Sequence, residues 1–219
     1  MIKGIVFDVD GVILDSMWIW REVMRRFFSQ YNVEAEVDIM DKIVQMNFDE
    51  SSNYIKDHYK IPRTSEEILE EIFAITRDFY DNEIELKPGV LNYLNEFKKR
   101  GIRMAAATAS DRSYIEAGFK RLGIYDFFDS IMTTRELGVA KTEPTIYLKS
   151  AEAIGAGPDE FVVFEDALYA IDTCHKAGIK VVAVYDAKSE SDEAEIRRKS
   201  DLYLENYDSF DLFLAHFNL

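Results

Sequence analysis

An α/β fold is what three features of this sequence predict: a parallel sheet flanked by helices, with a four-helix segment inserted near its start. Short apolar runs recur at residues 5–7, 102–107, 161–164 and 181–184. They read as strands buried on both faces. Segments with apolar residues at helical spacing separate them, and such alternation implies a parallel sheet with right-handed crossovers. One long stretch, residues 17–86, breaks the alternation with helical periodicity alone.

A chain of 219 residues is long enough for a core and a smaller second unit. Its 47% hydrophobic residues, with 15 Phe and 12 Tyr, can fill a substantial core. No apolar run reaches membrane-spanning length. A strand begins within a few residues of Met1, so no signal peptide is expected. Cys174 is the single cysteine and excludes an intrachain disulfide, so the cytoplasm is the expected location. Against 41 Asp and Glu stand 26 Lys and Arg, a formal net charge of −15. That field repels nucleic acid and anionic membranes, and neither is expected as a partner. No repeat appears at solenoid periods, and the sequence leaves the oligomeric state open.

The first strand, Ile5-Val6-Phe7, ends abruptly in Asp8-Val9-Asp10-Gly11. In a continuing strand the two acids would face opposite sides. Gly11 reaches backbone angles that other residues avoid and makes a break there. Both carboxylates can then turn into the crevice beyond the strand's carboxyl end. Taken alone, the pattern also fits an ordinary polar loop. A calcium loop of the EF-hand kind is excluded, because its sixth and twelfth positions would be Ile13 and Ile19.

Four helices are expected next. Trp20, Val23, Phe27 and Tyr31 recur at helical spacing; Ile39 with Ile43 and Met40 with Val44 mark a second helix. Asp49 can cap a third, carrying Ile55 and Tyr59. Thr64-Ser65-Glu66-Glu67 is a capping box ahead of Ile68, Ile72, Ile75 and Phe79. Lys87-Pro88-Gly89 closes the insertion. A helix carrying Val90, Leu94 and Phe97 leads to the second strand, which ends at Thr108-Ala109-Ser110-Asp111. Ile115, Phe119 and Leu122 form the next helix face, and residues 130–133 a third strand. Lys141 lies in a loop just before Pro144, ahead of a helix with Tyr147, Ala151 and Ile154. The fourth strand ends at Glu165-Asp166; a fifth and a sixth follow at 181–184 and 202–204.

Polar residues thus stand at the carboxyl ends of strands one, two and four. In order and spacing, the stretch at residues 4–16, Thr108, Lys141 and Glu165-Asp166 resemble the four motifs of the haloacid dehalogenase superfamily, in its phosphatase and β-phosphoglucomutase branch. The resemblance implies a Rossmann-like core from residues 1–15 and 87–219, with the first strand central, and a helical cap from residues 16–86 that supplies specificity. It implies that Asp8 is the nucleophile and Asp10 the general acid and base. Thr108 and the backbone N–H of Ala109 would hold phosphate oxygens, and Lys141 would neutralise them. Asp8, the backbone carbonyl of Asp10, and Asp166 would bind Mg²⁺, with Glu165 behind them or ligating through water. The cap would move about hinges near Ser16 and residues 87–89.

Each of these residues has a plainer role on its own. Thr108 can satisfy backbone, Lys141 can be a solvated surface lysine, and Glu165-Asp166 can cap a helix. Their joint order is what favours chemistry. His58, His175 and His216 lack metal-ligand spacing, and Cys174 reads as a core thiol. Trp18 and Trp20 read as packing residues of the first inserted helix or as residues facing the site. The chain departs from the family pattern at Thr142, Ala167 and Ala170, which puts loop geometry in question.

The expected activity is Mg²⁺-dependent hydrolysis of a small phosphorylated metabolite through an aspartyl-phosphate. A sugar phosphomutase is the alternative. Against it, Trp20 stands where the mutases carry a histidine, and residues 45–52 contain no Arg or Lys to hold a second phosphate. A receiver-like signalling domain shares Asp, Mg²⁺, Thr and Lys, but has neither the inserted helices nor an acid two residues beyond its phosphorylated Asp.

Overall fold

The structure, a computed structural model, describes residues 2–36, 38–43 and 46–218, without the side chain of Asp41. The chain divides into two compact units, Met1–Met17 with Ile84–Leu219, and Trp18–Glu83.

The larger unit opens with β1 (Gly4–Phe7) and the short β2 (Leu14–Asp15). The chain then enters the smaller unit, which is helical: α1 (Ile19–Ser29), α2 (Ile39–Ile43), α3 (Phe48–Tyr59) and α4 (Ser65–Asn82). Its own core gathers Met24, Phe27, Phe28, Ile39, Ile55, Ile61 and Ile68. The side chain of Thr64 caps α4, and Glu67 returns the bond to the backbone of Thr64. The third helix differs from expectation. Asn47, not Asp49, is its cap, in a reciprocal box with Glu50. Asp49 falls in the first turn, where its charge suits the positive end of the helix dipole. Val44 lies outside the described residues, as does Gln45. Trp18 sets its ring edge-on to Phe79 at 5.5 Å and keeps 46% of its surface exposed; Trp20 is 36% exposed.

The chain returns through β3 (Glu85–Leu86), which pairs antiparallel with β2, Leu14 opposite Leu86 and Asp15 opposite Glu85. The alternation follows: α5 (Val90–Lys99), β4 (Arg103–Thr108), α6 (Arg112–Arg121), β5 (Ser130–Thr133), α7 (Thr134–Leu137), α8 (Thr145–Ala153), β6 (Phe161–Glu165), α9 (Leu168–Lys176), β7 (Lys180–Val184), α10 (Glu193–Lys199), β8 (Leu202–Leu204) and α11 (Phe210–Phe217). The sheet is parallel in the order β5-β4-β1-β6-β7-β8. β1 is therefore central, flanked by β4 and β6, so the carboxyl ends of the three motif-bearing strands lie side by side.

Burial on both faces explains the unbroken apolar runs. Val6, Ala105, Ala107, Val163, Val181 and Ala183 pack with Ile146, Tyr147, Ile171 and Ile196 from α8, α9 and α10. Phe7 and Phe164 meet Phe97 of α5 at 6.1 and 6.0 Å, and Phe213 of α11 joins Phe97 and Phe164 at 5.0 and 5.7 Å. Ala105 and Ala107 of β4 thus belong to the first cluster, and aromatic rings make up the second. At Gly89, with φ of +84°, an added Cβ would lie 2.8 Å from the carbonyl oxygen of Tyr207, so only glycine fits. No helix among the described residues is long and apolar enough to cross a membrane.

Candidate active site

After Phe7 the backbone turns sharply. The carbonyl of Val9 accepts from the N–H groups of Ile13 and Leu14, both at 2.9 Å. Tyr207, buried near the end of the chain, donates its hydroxyl to the carbonyl of Val12 at 3.1 Å and supports the same loop. Gly11 makes the turn possible with φ of +81°. A Cβ there would sit 2.4 Å from Oδ2 of Asp166. The tight turn therefore sets the separation between the first motif and the fourth. Gly11→Ala combines a left-handed backbone with an overpacked contact and should cost about 3 kcal/mol. For a chain of this size, that lowers Tm by roughly 6–12 °C. An unchanged melting curve would show that the two segments are not in close approach.

Asp8 follows β1 directly and is 7% exposed. Its Oδ1 lies 2.5 Å from Nζ of Lys141. Lys141 comes from the loop before α8 and is itself buried, 2.7 Å from Oε1 of Glu165. One carboxylate oxygen each from Asp8, Glu165 and Asp166 can be chosen within 4.8 Å of one another, and all three residues are buried. Burial first, then the negative charge of Glu165, pushes Asp8 up to about 8 against the opposing pull of Lys141. Burial, then the charges of Glu165 and Asp8, holds Asp166 well above the usual carboxylate range. Burial disfavours the charge on Lys141, but Asp8 and Glu165 outweigh it and hold the ammonium tighter than an ordinary lysine.

The remaining expected residues gather at the same strand ends. Asp10 accepts from the hydroxyl of Ser16 at 2.7 Å on one oxygen and from that of Ser110 at 2.6 Å on the other. Thr108 is the last residue of β4, fully buried; its hydroxyl oxygen accepts from the N–H of Ser110 at 3.0 Å and keeps its own proton to donate. Ala109, next in the chain, is exposed. Glu165 ends β6 and caps no helix by side chain; Ala167 is the N-cap of α9.

Several partners were not singled out by sequence. Ser16 and Ser110 hold Asp10 in place. Tyr147, read as a core residue of α8, donates its hydroxyl to Oε1 of Glu165 at 2.8 Å. Lys87, half-buried, pairs with the buried Asp186 at 3.0 Å and also donates to the carbonyl of Tyr185 at 2.6 Å. That pair fixes the end of β7 to the segment after β3. Asp186 adds a further, smaller upward push on Asp166. The signal for Ser16 and Ser110 is a hydroxyl within a few residues of a motif acid or threonine; the other pairings carry none.

A buried carboxylate, a second acid held by two hydroxyls, and a buried ammonium thus converge where a parallel sheet opens to ligands. Three close carboxylates against one lysine resist ionising together, and a hard cation with oxygen ligands would suit that set.

Comparison with known proteins places this geometry in context. A family model described as haloacid dehalogenase-like hydrolase matches residues 5–184. The chain is 24% identical over 178 residues to the Thermotoga maritima protein named phosphorylated carbohydrates phosphatase, covering 81% of this chain and 82% of the relative. It is 26% identical over 193 residues to fructose-1-phosphate phosphatase YqaB of Escherichia coli (strain K12), covering 83% of this chain and 95% of the relative. The crystal structure of β-phosphoglucomutase from Clostridium difficile superposes with a TM-score of 0.73 at 23% identity, covering 100% of this chain and 98% of that one, a likeness of fold. With its family model spanning both the first and the fourth motif, the chain belongs to the haloacid dehalogenase-like hydrolases.

Proposed function

We propose that this hydrolase is a Mg²⁺-dependent phosphatase that cleaves small phosphorylated metabolites through an aspartyl-phosphate on Asp8. The observation that carries the reading is the Asp8–Lys141 contact of 2.5 Å beside the buried carboxylates of Glu165 and Asp166. It is supported by relatives named as phosphatases of carbohydrate and fructose 1-phosphates.

A carboxylate oxygen of Asp8 attacks phosphorus while the ester P–O bond breaks. Asp10 gives its proton to the departing alkoxide oxygen. Asp10 then takes a proton from water, whose oxygen attacks the phosphorus of the acyl phosphate. The P–O bond to Asp8 breaks, restoring the carboxylate and releasing inorganic phosphate. The hydroxyls of Ser16 and Ser110 suit both states of Asp10, since each can donate to a carboxylate or accept from a carboxylic acid. Lys141 and Thr108, with the N–H of Ala109, hold the phosphoryl oxygens as charge develops. Mg²⁺, when bound by Asp8, Asp166 and the carbonyl of Asp10, supplies the positive charge that lets two anions approach. Residues 16–86 act as the cap that selects the substrate, and a cytoplasmic metabolite fits the expected location.

Hydrolysis is favoured over phosphoryl transfer to a sugar because Trp20 has only an indole N–H and cannot take up a proton. The test is incubation with β-glucose 1-phosphate, a trace of glucose 1,6-bisphosphate and Mg²⁺. Inorganic phosphate is the expected product, here and in a screen of sugar phosphates. Efficient formation of glucose 6-phosphate with little free phosphate would make the protein a mutase.

A further inference from the structure

Tyr147 has no part in the four motifs, yet its hydroxyl belongs to a buried polar chain with Glu165 and Lys141. The residue is fully buried among apolar neighbours of α8 and the sheet. For packing alone, phenylalanine would serve without burying a polar group. The hydroxyl instead donates to Oε1 of Glu165 at 2.8 Å, the oxygen that also accepts from Lys141 at 2.7 Å. The other oxygen, Oε2, accepts from the N–H groups of Asp166 at 3.1 Å and Ala167 at 3.3 Å. Four donors thus fix both oxygens of a carboxylate that is 0% exposed.

A carboxylate so held cannot swing towards a ligand. Its four lone-pair sites are engaged, and Lys141 is suspended between it and Asp8. If Oε1 lost the tyrosine donor, it would draw more strongly on the lysine, at the expense of Asp8 and of any phosphoryl oxygen beside it. We infer that Tyr147 is a positioning residue for phosphoryl transfer, acting through Glu165 to set where the Lys141 ammonium stands; this rests on the phosphatase reading above. Glu165 is then the holder of the lysine. The lysine's aim matters most when charge on the phosphoryl group is greatest, so the effect belongs to the transition state.

The experiment compares Tyr147→Phe with wild type and with Tyr93→Phe, using para-nitrophenyl phosphate and Mg²⁺. Tyr93 is an equally buried tyrosine whose hydroxyl donates to the carbonyl of Ser209 at 2.6 Å, in the aromatic face of the core. Tyr147→Phe should lower kcat about tenfold, the scale on which supporting shells act. KM and the Mg²⁺ concentration at half activity should stay within about twofold, and orthovanadate should inhibit about tenfold less tightly. Tyr93→Phe should change the melting curve but leave kcat within about twofold. Full kcat in Tyr147→Phe, or an equal loss in Tyr93→Phe, overturns the positioning role while leaving the phosphatase standing. A wild-type protein that releases no phosphate overturns the phosphatase reading and the positioning role with it.

Discussion

Asp8→Asn should abolish phosphate release, by at least about 10⁴-fold, on the scale seen when a nucleophile is removed. The amide matches the carboxyl in size but has no anionic oxygen to attack phosphorus. The fold should survive. Asp8 is buried, and burial with the charge of Glu165 pushes it up to about 8, so its surroundings already work against the charged form while no cation is bound. Asparagine keeps the size of the side chain and removes the charge that burial disfavours. Lys141 keeps its second partner, Glu165, at 2.7 Å. Melting curves recorded in EDTA should therefore agree within a few degrees between the variant and wild type. Near-normal turnover by purified Asp8→Asn would refute the covalent mechanism. Lost turnover together with a collapsed melting curve would assign Asp8 a structural role instead.

Chelation should have the next largest effect. Excess EDTA should remove activity, and Mg²⁺ should restore it. Asp166→Ala takes a carboxylate from a small oxygen site, and the Mg²⁺ concentration at half activity should rise roughly 100-fold, the upper end of what even supporting residues cost. Asp172→Ala is the control. Asp172 is an acid of α9 paired with Lys176 at 2.5 Å, apart from the three clustered carboxylates, and its loss should leave the Mg²⁺ dependence unchanged. Full activity of wild type in excess EDTA would remove the metal from the mechanism. A midpoint for Asp166→Ala equal to wild type would remove Asp166 from the metal's ligands.

Sequence carried the sheet well because its strands are buried on both faces, and their apolar runs stop where polar residues begin. Asp8, Thr108 and Glu165 mark those stops, and the central place of β1 follows the order that the resemblance implied. Helix faces were legible for a similar reason: Val90, Leu94 and Phe97 repeat at the spacing of a buried stripe. Cap chemistry was less so. Asn47 and Asp49 are both good capping residues, and only the backbone angles before the helix choose between them. Least legible were side-chain partners distant in the chain. Ser110 reaches Asp10 across 100 positions and Lys87 reaches the carbonyl of Tyr185 across 98. Such pairs depend on which strands become neighbours, and no local pattern records that. Tyr147 was seen as core, correctly by burial, but a phenolic oxygen inside an apolar stripe gives no sign of where it points.

The two-stranded pairing of Leu14–Asp15 with Glu85–Leu86 bears on how such proteins diversify. Antiparallel neighbours lie only about 4.8 Å apart, a gap that a two-residue hairpin can span. The exit from the sheet-bearing unit and the return to it are therefore a ready-made splice point. A segment of almost any length can be grafted between Asp15 and Glu85, since doubling a loop adds only about 0.6 kcal/mol of closure cost. Residues on the far side of the graft can drift in sequence without disturbing the register of β1 or the spacing of Gly11 from Asp166. One sheet-bearing unit can in this way carry inserts of very different length between the same two short strands.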